Sequence, residues 1–140
     1  MRTNPRKTAA VLLAVGLVGA AALHIYWAAG GNWFLSTALN MPLEDVGTTI
    51  RFVTWGLVLV LLGASVVVLC RADVIRCPLP DRLVALASWA FTAVMVAGAA
   101  YNATIDRVWD RWVFGPIFLV TGLLALAVSL PGRREGRDAP

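Results

Sequence analysis

Residues 52–70 read FVTWGLVLVLLGASVVVLC, a run of 19 residues without Asp, Glu, Lys or Arg. A helix needs about 20 mostly apolar residues to cross the hydrocarbon core of a bilayer, so this run has the length of a spanning helix. An open sheet in lipid would leave the N–H and C=O groups of its edges unsatisfied. The run also lacks the alternation of membrane-barrel strands. The stretch therefore predicts a transmembrane helix.

Three further runs of the same kind lie around it, at residues 8–29, 83–101 and 112–130, and none contains a charged residue. The 140-residue chain is 59% hydrophobic and 14% charged, whereas a soluble domain is about 45–50% apolar and about 25% charged. The sequence therefore predicts an all-α fold, a four-helix transmembrane bundle. We expect a single membrane domain over residues 1–140 that ends in a basic, flexible tail at 131–140.

The positions of Lys and Arg predict the orientation, because cytoplasmic loops carry an excess of these residues. Three of the twelve, Arg51, Arg107 and Arg111, fall in the first and third loops. The other nine fall in the N-terminus, the second loop and the tail. We expect both termini in the cytoplasm of a multi-pass cell-membrane protein whose first partner is the lipid bilayer. The net charge of +4 then reflects topology, and no nucleic-acid partner is predicted.

The first run leaves one alternative open, namely cleavage as a signal peptide. A basic start at residues 2–7, an apolar stretch at 10–23 and three alanines at 20–22 fit that pattern. The apolar run continues through residues 25–27, Ile-Tyr-Trp, beyond the alanines. This continuation favours an uncleaved first helix with the full length of a membrane span.

The aromatic residues are distributed unevenly between the two sides of the predicted bundle. Five of the six tryptophans fall on the outer side, and only Trp89 lies near the cytoplasmic side. A plain interfacial belt would place tryptophan at both surfaces. We therefore expect an aromatic-rich pocket or face at the extracytoplasmic end, which binds a hydrophobic ligand or a partner subunit. The predicted ligand-binding residues are Tyr26, Trp27, Trp33, Arg51, Trp55, Tyr101, Asn102, Arg107 and Trp109.

His24, the one histidine of the chain, lies in the first apolar run three residues before Trp27, so the two share a helix face. A histidine inside a membrane helix costs free energy unless it is paired or functional. One interpretation is a neutral His24 that is hydrogen-bonded between helices. The other is catalytic: His24 as acid/base, with Asp106 as orienter or second acid.

These interpretations correspond to two functions. The first is a binding or accessory membrane protein, alone as a homo-oligomer or with a partner subunit. The alternative is an isomerase- or cyclase-type enzyme that acts on a lipid or isoprenoid, because aromatic faces stabilise cations. Whether the chain is an enzyme stays open. A transporter or channel element has less support, because the interiors of the four runs lack charges that would mark an ion path.

No metal site or cofactor is predicted. The chain has a single histidine and two cysteines, Cys70 and Cys77, which are not spaced as C-x-x-C. Two thiols without further ligands make a poor zinc site. Small residues in the runs instead predict close helix packing at Gly16, Gly98, Gly122 and Ser129.

The motif HIYWAAGGNW at residues 24–33 is followed by YN at 101–102, DR at 106–107 and GP at 115–116. With these motifs the chain resembles an uncharacterised bacterial family of small four-helix membrane proteins, a domain of unknown function. The resemblance covers nearly the whole chain. It implies the four-helix fold and a site at the end where the motifs meet, and it implies no activity and no cofactor.

Overall fold

The computed structural model describes residues 4–130, and all regular structure in that part of the chain is helical. A short 3-10 helix over Leu43–Asp45 precedes α3, and a π-helix over Asp110–Phe114 leads directly into α5. The five α-helices are α1 Pro5–Ala28, α2 Leu35–Leu39, α3 Thr48–Arg71, α4 Asp81–Thr104 and α5 Gly115–Ser129. Four helical stretches, α1, α3, α4 and residues 110–129, are long and apolar enough to cross a membrane. The all-α prediction is confirmed for the described residues.

The long helices begin before the apolar runs that predicted them. The α1 helix begins at Pro5, where the Asn4 side chain accepts a hydrogen bond of 3.0 Å from the main-chain N–H of Arg6. The α4 helix begins at Asp81, whose negative charge favours a helix N-terminus. Polar residues are well suited to helix starts. A search for runs without charged residues therefore misses the first turns of these helices.

The last span opens with a wide turn. The π-helix ends at Phe114. The N–H of the next residue, Gly115, donates to the Asp110 carbonyl, and Pro116 follows in the first turn of α5. A proline ring clashes with the carbonyl of the residue four positions earlier in a regular helix. The π-turn lies directly before Pro116, so the regular hydrogen bonding to the fourth residue back is already interrupted where the proline enters the span.

The helices pack most extensively as two pairs, α1 with α3 and α4 with α5, and α1 also packs against α5. The central contact face of α1 carries Ala10, Leu13, Ala14 and Leu17, all buried. Their spacing of i, i+3, i+4 and i+7 places them on one side of the helix. They pack in one cluster with Val68 of α3 and with Ala125 and Val128 of α5.

Two of the glycines predicted at helix contacts, Gly98 and Gly122, lie at the contact between α4 and α5. A Cβ atom on Gly98 of α4 would lie 2.5 Å from a ring carbon of Phe118 of α5. A Cβ atom on Gly122 would lie 3.3 Å from a methyl carbon of Val96. The prediction for Gly16 is wrong, because no atom would lie within 4 Å of its Cβ. The buried alanines of α1 provide the close approach instead.

The outward faces of the long helices are apolar. Phe52, Leu59 and Leu86 are 77%, 72% and 68% exposed. Monomeric soluble proteins rarely expose contiguous apolar surface on this scale. In a membrane these apolar faces contact lipid and their exposure carries no free-energy cost. The exposed faces and the lengths of the four helices therefore both indicate membrane spans.

Three helix ends converge at what we call the basic end, the end that carries Arg6, Arg71 and Arg76. The Arg6 side chain donates from Nε to the Val128 carbonyl at 3.1 Å and from Nη2 to the Arg71 carbonyl. Arg71 donates from Nη2 to the Ser129 carbonyl at 3.0 Å. Both arginines therefore bind carbonyls at helix C-termini, where positive charge is favourable, and they connect α1, α3 and α5.

A buried hydroxyl network lies next to these arginines. The Ser129 hydroxyl of α5 contacts the hydroxyls of Ser88 at 2.6 Å and of Thr92 at 3.1 Å, both on α4. Thr92 also donates to the Ser88 carbonyl at 2.9 Å. Hydrogen bonds of this kind join membrane helices where the hydrophobic effect does not. The network therefore fixes α4 against α5.

Candidate functional site

The predicted site lies at the end of the helices opposite to the basic end. We call it the aromatic end, because it carries Trp27, Trp33, Phe34 and Trp109. Here α1 ends in a glycine turn. Gly30 has a φ of 107°, in the left-handed region that favours glycine. The N–H of Gly31 donates to the Tyr26 carbonyl at 2.9 Å. This turn reverses the chain at the end of the helix.

Two aromatic side chains of α1 hold the segment that follows the turn. Trp27 is buried, and its Nε1 donates a hydrogen bond of 2.8 Å to the Trp33 carbonyl. The Tyr26 hydroxyl accepts a hydrogen bond of 3.4 Å from the main-chain N–H of Trp33. A Cβ atom on Gly31 would overlap the Tyr26 ring, so the ring packs directly on this glycine. The motif at residues 24–33 thus folds back on its own helix.

Arg51 of α3 joins this folded segment to the second helix of the pair. Its Nη1 donates to the Trp27 carbonyl at 2.7 Å, and its Nη2 donates to the Asn32 side-chain oxygen at 3.4 Å. The guanidinium therefore supplies a positive charge at the C-terminus of α1, where the helix dipole favours it. The structure brings together four of the predicted residues in this way: Tyr26, Trp27, Trp33 and Arg51.

A second group of rings, the aromatic cluster, comprises Trp33, Phe34, Trp109 and Phe114. The Phe34 ring lies at its centre, with ring centroids 5.8 Å from Trp33, 5.3 Å from Trp109 and 6.2 Å from Phe114. The Phe34–Trp109 pair is edge-to-face at 80°, a favoured aromatic geometry. The cluster thus connects the segment after α1 to the turn between α4 and α5.

Phe34 holds this position at a conformational cost. Its φ of 60° is left-handed, which is uncommon for a bulky residue. Such a conformation costs on the order of 1–3 kcal/mol and persists where the surrounding contacts fix it. The rings beside it remain accessible, since Trp33 is 71% and Trp109 50% exposed. The cluster is therefore an exposed aromatic surface fixed by a strained residue.

His24 and Asp106, the predicted catalytic pair, have different partners. The His24 Nδ1 lies 2.7 Å from the Ala20 carbonyl of its own helix, and its ring packs edge-on to Trp27 at 5.0 Å. The hydrogen bond expected between helices is thus replaced by one within α1. Asp106 is exposed and pairs with Arg111 at 3.3 Å. Within residues 4–130 no hydrogen bond joins His24 to Asp106, and their catalytic role stays a prediction.

The remaining predicted residues are spread around the aromatic end. Asn102 is buried and donates to the Gly98 carbonyl of its own helix at 2.8 Å. Arg107 pairs with Asp110 at 3.5 Å, as their i, i+3 spacing allows. Tyr101 is 67% and Trp55 45% exposed. Neither the Tyr101 nor the Trp55 side chain forms a hydrogen bond within the described range, and their roles in binding stay predictions.

Sequence reasoning did not select Phe34 or Phe114 as site residues. Both are ordinary apolar residues at a membrane boundary, and no local pattern marks a phenylalanine for a positive φ. The sequence contains one indication of their position, the Gly-Gly pair at residues 30–31. This pair ends α1 and brings the rings that follow back toward the helices.

The described residues contain no group of three or more His, Cys, Asp or Glu side chains that could hold a metal ion. Cys70 is buried, Cys77 is half-buried, and both are free thiols.

Comparison with known proteins agrees with the resemblance of the motifs. No curated protein and no solved structure matches the chain. A family described as "Protein of unknown function (DUF3995)" matches residues 17–125, a range that runs from the middle of α1 into α5 and contains the whole aromatic end. The chain belongs to this family of proteins of unknown function.

Proposed function

We propose that this protein is a multi-pass accessory protein of the cell membrane that binds a hydrophobic partner subunit through its aromatic end. The observation that carries the proposal is the aromatic cluster around Phe34. A strained backbone conformation at this residue supports three other rings, and two of them remain largely exposed. Strain of this kind is concentrated at functional positions.

The composition of the surface favours a protein partner over a small enclosed ligand. Tryptophan, tyrosine and arginine are the residue types that contribute most to protein interfaces. Trp33, Trp109 and the neighbouring Trp112 are 71%, 50% and 70% exposed, so the rings present an open face. A small hydrophobic ligand would instead be enclosed by its pocket over most of its surface.

We further propose that the aromatic end faces away from the cytoplasm and that both termini are cytoplasmic. The distribution of nine Lys and Arg residues against three supports this orientation. The partner therefore contacts the protein at the outer boundary of the membrane. The enzyme alternative gains no support from the contacts of His24 and Asp106, and we do not adopt it.

Photo-crosslinking in cells tests the proposal. A photoreactive phenylalanine analogue replaces Trp33 in one protein and Trp89 in another. Trp89 is a matched control, because it is 43% exposed and lies near the basic end. We expect the Trp33 position to give a discrete protein adduct of fixed mass and the Trp89 position to give only lipid adducts.

The same experiment is repeated with Phe34→Ala, which removes the central ring. We expect the protein adduct at position 33 to decrease several-fold, because one anchor ring at an interface contributes about 1–2 kcal/mol or more. Adducts of equal yield at positions 33 and 89, or an adduct at position 33 that is insensitive to Phe34→Ala, contradict the proposal. Lipid adducts alone at position 33 indicate a hydrophobic ligand instead.

A further inference from the structure

Two adjoining cavities lie at the basic end, away from the aromatic cluster. The first has a volume of about 480 Å³, and its charged lining residues are Arg6, Arg71, Asp73, Arg76 and Asp81. The second, about 450 Å³, follows α1 and is lined by Asn4, Lys7, Thr8, Val11, Leu12 and Val74. Val74 lines both cavities, so the charged cavity and the groove along α1 adjoin at this residue.

The charged cavity has three arginines against two aspartates, so the described residues neutralise its positive charge only in part. Arg6 and Arg71 donate to main-chain carbonyls, which carry no net charge. The ion pairs formed within residues 4–130 lie at the aromatic end and involve neither arginine. The Arg71 Nε atom is buried without a hydrogen-bond partner in the described part of the chain. Two adjacent guanidiniums and an unpaired donor favour an anion.

The two aspartates of this cavity offset only part of that charge. Asp81 lies in the first turn of α4, where the positive end of the helix dipole also stabilises its negative charge. Asp73 lines the same cavity but is exposed to solvent, which screens its charge. Lys7, in the adjoining groove, adds a further positive charge.

The polarity of the groove changes along its length. Lys7 and Thr8 lie one helical turn from Val11 and Leu12, which is about 6 Å along the axis of α1. Polar groups therefore line the part of the groove next to the helix N-terminus, and apolar groups line the part that enters the membrane span. A phospholipid changes from headgroup to acyl chain in the same direction.

We infer that the basic end binds one anionic phospholipid. Its phosphate lies in the charged cavity, between Arg71 and Arg76, and an acyl chain lies in the groove against Val11 and Leu12. Arginine binds phosphate oxygens with two parallel hydrogen bonds, and basic pockets beside membrane helices are suited to anionic headgroups. This site shares no residue with the aromatic end, so it goes beyond the proposed partner surface.

Native mass spectrometry of the full-length protein tests the site with dioleoyl phosphatidylglycerol and dioleoyl phosphatidylcholine as probes. We expect the wild-type protein to retain one phosphatidylglycerol in preference to phosphatidylcholine. Arg76→Gln and Lys7→Gln are each expected to lower this retention about fivefold, the effect of one basic residue near an anionic headgroup. Both residues are exposed and make no side-chain hydrogen bond within residues 4–130, so these variants spare the contacts of Arg6 and Arg71.

Arg82→Gln is the matched control, because Arg82 is exposed at the same end, carries the same charge and does not line either cavity. Unchanged retention in Arg82→Gln supports a defined site. Equal losses in all three variants indicate only a surface potential and overturn the inference. Displacement of phosphatidylglycerol by inorganic phosphate assigns the cavity to free phosphate, which overturns the lipid part.

Discussion

The Nη1 atom of Arg51 donates a hydrogen bond of 2.7 Å to the main-chain carbonyl oxygen of Trp27. This contact joins the start of α3 to the end of α1 and lies under the segment that carries the exposed rings. The last carbonyls of a helix lack a partner within the helix, and the Trp27 carbonyl also accepts a hydrogen bond of 3.1 Å from the N–H of Gly30 in the turn that follows. A charged donor that reaches it from a neighbouring helix therefore stabilises both the helix end and the pair.

We expect Arg51→Ala to lower the free energy of unfolding by about 1.5–3 kcal/mol, the range for hydrogen bonds to charged groups. Unfolding of the purified protein in mixed micelles, followed by tryptophan fluorescence, measures the change. Arg111→Ala is the control, because Arg111 forms an exposed ion pair of a kind that contributes about 0–1 kcal/mol. Equal effects of the two substitutions would contradict the role of Arg51.

Gly98→Ala is expected to destabilise the protein by about 1–3 kcal/mol, because overpacking forces side chains or helices to move. The added methyl group would meet the Phe118 ring at 2.5 Å. Gly16→Ala has open space around it and is expected to be neutral or to stabilise by about 0.5–1 kcal/mol, the helix preference of alanine over glycine. The two Tm values, measured side by side in one detergent, should therefore change in opposite directions or by clearly different amounts.

The hydroxyl network between α4 and α5 is testable with a double-mutant cycle. We expect Ser88→Ala and Ser129→Ala to be coupled by about 0.6 kcal/mol, a value typical of hydrogen bonds between membrane helices. Ser65→Ala with Ser129→Ala is the control cycle, because the buried Ser65 hydroxyl donates within its own helix, to Leu62. A coupling that is no larger in the first cycle than in the second shows that the network does not join the helices.

His24→Leu is expected to change the free energy of unfolding by less than about 1 kcal/mol, since the partner of His24 is a carbonyl of its own helix. Ala20, which provides that carbonyl, keeps its main-chain hydrogen bond in the variant. A loss as large as that of Arg51→Ala would show that His24 has a partner in another helix. Chemical denaturation of both variants in the same micelles provides the comparison.

The sequence predicted the four spanning stretches well, because every helix that crosses lipid needs about 20 mostly apolar residues. The limits of the helices were less predictable, since Pro5 and Asp81 start helices with polar first turns that a hydropathy window excludes. Ser129 was expected at a helix contact, and it is fully buried there. Its hydroxyl partners depend on how α4 rotates against α5, which no residue spacing determines.

The same distinction applies to the aromatic end. The shared face of His24 and Trp27 follows from helical spacing, and the two rings are in contact. The role of Arg51 does not follow from spacing, because its acceptor is a main-chain carbonyl and every residue has one. The rings of Phe34 and Trp109 meet only after α1, α4 and the loops have packed.

The bond between Arg6 and the Val128 carbonyl joins residues 122 positions apart, and this separation has a consequence for biosynthesis. A ribosome that adds about 5–20 residues per second needs roughly 6–24 s to reach Val128 after Arg6. During this interval the guanidinium lacks its acceptor in α5, the Val128 carbonyl, and stays hydrated at the surface of the bilayer. Closure of this end is therefore among the last steps of assembly, and a nascent chain stalled before α5 leaves it open.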